Sequence, residues 1–79
     1  MTIQRALKIA IQQLAAECDM SIQELAQKSG LPPATIYNIF NGYSNNPRIG
    51  TIKVLCDGAG ITLGEFFSNK IFERVIDDE

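Results

Sequence analysis

Apolar positions recur every three or four residues along most of this chain, with polar residues filling the gaps. Ile3, Leu7, Ile11, Leu14 and Cys18 form one such stripe, widened by Ile9 and Ala10. That period predicts a first helix over about Ile3 to Glu17, interrupted by Asp19 and Met20. Ser21 with Glu24 three positions on has the residue types of a capping box, in which each side chain satisfies a backbone N–H left over at the helix start. A second helix is therefore expected from Ser21 to about Lys28, burying Ile22, Leu25 and Ala26. Proline suits the first helical position because its missing N–H is not required there, so a third helix should open near Pro33 and stop at Asn41-Gly42. Its apolar face carries Ile36, Ile39 and Phe40, which leaves Pro33, Ala34, Tyr37, Asn38 and Asn41 on the other.

Tyr43-Ser44-Asn45-Asn46-Pro47 reads as a loop by composition. A fourth helix is predicted over Ile49 to Asp57, with Ile49, Ile52, Leu55 and Cys56 inward and Gly58-Ala59-Gly60 as its stop. Thr62 and Glu65 make a second capping box and open a short fifth helix bearing Phe66 and Phe67. Beyond it, Ile71, Phe72, Val75 and Ile76 form another helix-compatible stripe. Residues 1–68 thus form one domain and residues 69–79 a tail, which either packs on its own core or contacts a second copy.

The junction of the second and third helices is the most specific feature. Ala26 sits four positions before Gly30, and Leu25, Leu31, Ile36 and Ile39 surround them. A pair of short helices that cross steeply needs a small residue at the crossing and a glycine able to take positive φ at the bend. The expected unit is a helix-turn-helix, whose second helix can enter a DNA major groove.

The landmarks Ser21 to Leu31, Thr35-Ile36, Asn41-Gly42, Pro47-Arg48-Ile49, Thr51-Ile52, Leu55 and Gly60 to Phe67 resemble the Cro/repressor-type helix-turn-helix family, also called xenobiotic-response-element-like. The resemblance implies an all-α, five-helix, lambda-repressor-like domain that binds double-stranded operator DNA as a homodimer and regulates transcription. It implies base contacts from Pro33, Ala34, Thr35, Tyr37 and Asn38. Ser21 and Gln23, at the start of the second helix, would hold a phosphate, and the loop from Tyr43 to Arg48 would follow the backbone. Lys28, Asn41, Tyr43, Ser44 and Arg48 complete the phosphate set. Three features depart from the family pattern, one being the loop, which has Tyr43, Ser44, Asn45 and Asn46 where Lys or Arg is frequent. Pro32 stands where Ser or Thr commonly caps the third helix, and Pro33 where a long polar side chain is frequent.

Charge sharpens this expectation. The 7 basic and 9 acidic residues give a net charge of −2. Three of the acids are Asp77, Asp78 and Glu79; without them the balance is 7 against 6, or +1. No charged residue lies between Leu31 and Pro47. Electrostatic attraction to a polyanion is then modest, and recognition falls to amides and hydrocarbon. Asn38 is the strongest reader by chemistry, because an amide presents a donor and an acceptor together to adenine N6 and N7. Thr35, Pro33 and Ala34 suit thymine methyls. Tyr37 suits a methyl or the sugar-phosphate backbone.

Other chemistries fail on residue supply. The chain has no histidine, and its two cysteines stand at positions 18 and 56, so neither a metal site, a cofactor nor a catalytic constellation is expected. No apolar run approaches the ~20 residues needed to span a bilayer, and free thiols suit a reducing cytoplasm. The competing reading is a protein-binding module, such as an antitoxin of the same family, that engages a protein partner through the third helix or the tail.

Overall fold

The computed structural model describes residues 1–41 and 47–76. Among them the chain forms five α-helices: α1 (Ile3–Glu17), α2 (Ile22–Lys28), α3 (Pro33–Phe40), α4 (Ile49–Ala59) and α5 (Leu63–Phe67). A 3-10 turn at Lys70–Arg74 follows. No strand occurs among the described residues. The all-α, lambda-repressor-like architecture expected from the sequence is the one observed.

The helices start and stop for local reasons. Both capping boxes form: Ser21 Oγ accepts from the Glu24 N–H at 3.0 Å while Glu24 Oε1 accepts from the Ser21 N–H at 2.8 Å. Thr62 and Glu65 repeat the pair at 3.0 and 2.9 Å. Three helices end in one hydrogen-bond pattern, a left-handed residue whose own N–H and that of the next residue reach back into the last turn. After α1 that residue is Asp19 (φ 57°), after α2 Gly30 (φ 78°) and after α4 Gly60 (φ 79°). Across the Gly30 turn, the Leu31 N–H meets the Ala26 carbonyl at 2.9 Å and the Gly30 N–H meets that of Gln27 at 3.1 Å.

Leu7, Ile11, Leu14, Leu25, Ile36, Ile39, Ile52, Leu55 and Phe66 supply one contiguous core from all five helices. Cys56 is fully buried in it. Burial, and secondarily Asp57, push its pKa up against the opposing pull of Lys53, so the thiol stays neutral and packs as a small hydrophobe.

Two details of α4 differ from expectation. Ile49 shares the helical phase of Ile52 and Cys56, yet it is 61% exposed, because periodicity sets the direction of a side chain and not whether another element covers it. Gly58 does not end the helix, which continues to Ala59 and is closed by Gly60. Gly58 instead lets α4 approach α2. A methyl group there would overlap the Ser29 hydroxyl and lie 3.1 Å from its Cβ and 3.3 Å from its Cα. The Ser29 Oγ is buried at this contact without a hydrogen-bond partner.

The tail lies along α1. Asn69 Nδ2 donates to Gln13 Oε1 at 2.6 Å, and the Ile76 N–H donates to the Met1 carbonyl at 3.0 Å. Phe72 packs on Phe66 and Phe67, with ring centroids 5.7 and 5.0 Å away.

Candidate nucleic-acid interface

α2 and α3 share the core through Leu25, Ala26, Ile36 and Ile39, which fixes the rotation of α3 about its axis. With Ile36 and Ile39 inward, Pro33, Ala34, Tyr37, Asn38 and Asn41 stand exposed. Thr35 is half-buried between the two faces, and its N–H donates to the Pro32 carbonyl at 3.0 Å. Tyr37 is 58% exposed, the largest side chain on this surface.

A groove of about 490 Å³ runs beside that face. Gln23, Pro33, Ala34, Tyr37 and Asn41 line it together with Gln12 of α1. A second groove, of about 320 Å³, lies among Gln23, Gln27, Leu31 and Pro33. Gln23 therefore borders both, which places the start of α2 and the start of α3 on one continuous surface. Gln12 belongs to this surface although sequence reasoning passed over it. Its position in the α1 repeat marked it as polar, and only the docking of α1 on α2 reveals its neighbours.

The other candidates are more dispersed. Ser21 is exposed at the start of α2. Its oxygen is engaged by Glu24, and its hydroxyl hydrogen remains to donate. Asn41 directs Nδ2 to the Tyr37 carbonyl at 2.8 Å, so one of its amide hydrogens serves its own helix. Lys28 is exposed at the last turn of α2 and Arg48 is exposed at the start of α4; neither lines either groove. Lys53 on α4 is paired with Asp57 one turn along the helix. Tyr43 and Ser44 lie outside the described residues.

A helix anchored in the core by Leu25 and Ala26, which props an exposed, charge-free helix across a left-handed glycine turn, defines a helix-turn-helix domain. The helix-turn-helix family model matches residues 11–66, and the chain belongs to that family, the Cro/repressor type of DNA-binding domain. No curated protein and no solved structure matches the chain. Among the described residues, no helix is long and apolar enough to cross a membrane.

Proposed function

We propose that this protein is a cytoplasmic, homodimeric transcriptional repressor that reads a short palindromic operator with the exposed face of α3. One observation carries the reading: Pro33, Ala34, Tyr37 and Asn38 face outward from a helix whose opposite side is locked into the core. Asn38 reads an adenine. Pro33, Ala34 and Thr35 meet thymine methyls, and Tyr37 lies along the groove wall. Ser21, Gln23, Lys28, Asn41, Tyr43, Ser44 and Arg48 hold phosphates on either side.

Dimerisation is supported by size and by exposed hydrocarbon. A domain of 79 residues buries a smaller share of its surface than a larger one, and Ile3, Phe67 and Ile76 remain 39%, 39% and 57% exposed. In the proposed dimer a second copy covers them, and the two α3 helices meet half-sites about 34 Å apart. Selection from random duplex DNA, with sedimentation of the selected complex, tests the reading. A palindromic motif bound by two copies is expected. No enrichment, with a protein partner co-purifying, would replace this reading with the protein-binding module.

A further inference from the structure

The surface around α3 has a chemistry that restricts which base pairs it fits, provided α3 is the base-reading helix proposed above. Guanine offers two acceptors, O6 and N7, to the major groove, and the matching side chains are arginine and lysine. α3 and the residues leading into and out of it have neither, from Leu31 to Pro47. The neighbouring helices do not make up the lack. Where α1 and α2 border the exposed face they contribute Gln12, Gln23 and Gln27, and neither groove has a charged residue in its lining. An amide can meet the two guanine acceptors only through its NH2 group, with no donor there for its carbonyl oxygen. Turned toward adenine, the same amide finds a donor at N6 and an acceptor at N7.

The apolar part of the surface points the same way. Pro33 and Ala34 are exposed at the start of α3, the end of such a helix that meets base edges. Thymine alone among the four bases carries a methyl group in the major groove. We infer that the half-site is a run of A·T pairs, recognised by amide pairing to adenine and by hydrocarbon contact with thymine methyls, and that G·C pairs are disfavoured across the α3 footprint.

Purified full-length protein is passed through selection from random duplexes, and the enriched duplex is then remade with deoxyuridine for thymidine in its half-sites. This exchange removes methyl groups and leaves every hydrogen-bonding edge in place. The expected motif is A·T-rich, and the uracil duplex binds about fourfold more weakly for each methyl in contact. Asn38→Ala should reduce the preference for A·T at one position by roughly five- to 150-fold. G·C-rich half-sites, or equal affinity for the thymine and uracil duplexes, would overturn the inference while leaving α3 as a reader. Failure of every duplex to enrich would remove the reading of α3 itself, and this inference with it.

Discussion

The two helices of the motif are held in place by different means. α2 is closed at both ends by its own residues, through the Ser21–Glu24 box at its start and the Gly30 turn at its end. α3 opens at Pro32 with no side-chain hydrogen bond, and at its other end Asn41 donates to the Tyr37 carbonyl. A helix of eight residues does not persist alone, so α3 depends on Ile36 and Ile39 in the shared core. α2, one residue shorter, also needs the core through Leu25 and Ala26, but its two ends are fixed by its own residues. Pro33, Ala34, Tyr37 and Asn38 on the solvent face of α3 lie outside that core.

Deleting hydrocarbon from that core should have the largest effect. Leu25 is fully buried at the α2–α3 crossing, and Leu25→Ala is expected to destabilise the domain by about 2–5 kcal/mol. For a chain of this size, whose whole stability is on the order of 4–12 kcal/mol, that is a large share of the total. Asn38→Ala, on the exposed face of α3, should stay within about 0.5 kcal/mol. Urea unfolding of both variants measures the contrast. Equal losses would show that the outer face of α3 holds the fold as firmly as the core beneath it.

The turn between the helices comes next. A methyl added at Gly30 would meet nothing within 4 Å, so Gly30→Ala tests the backbone alone. At φ 78° the expected loss is about 1–2 kcal/mol, or a fall of several degrees in Tm. Asp19 holds the equivalent position after α1 at φ 57°, where a short polar side chain tolerates the left-handed region. An unchanged Tm for Gly30→Ala would mean that this turn relaxes without cost.

Local chemistry made most of this fold readable in advance. The α1 repeat, both capping boxes, Pro33 at a helix start and Gly30 at positive φ each depend on residues within a few positions of one another. The details that escaped notice depend on other elements. Gly58 reads as a helix stop, but it is a spacer against Ser29, 29 positions away in sequence. Ile49 reads as core, but it is 61% exposed. Gln12 joins the α3 surface only through tertiary packing. The candidate site was legible as a set of exposed α3 residues, and its extension onto α1 was not.

The smallest effects separate capped from uncapped helix starts. Ser21→Ala removes the acceptor of the Glu24 N–H and should lower stability by about 1 kcal/mol. Pro32→Ser runs the complementary experiment on α3. The backbone at position 32 (φ −62°, ψ 144°) already has the extended geometry of a capping residue, so a serine hydroxyl there lies in reach of the start of the helix. That gain is offset by the freedom the unfolded chain recovers when a proline is lost, about 0.4–1 kcal/mol. The net change should lie within about 0.5 kcal/mol of zero. Thermal melts of the two single variants and the double variant decide the matter. Stabilisation by Pro32→Ser well beyond that margin would mean that a missing cap limits α3, and that Ile36 and Ile39 alone do not hold it.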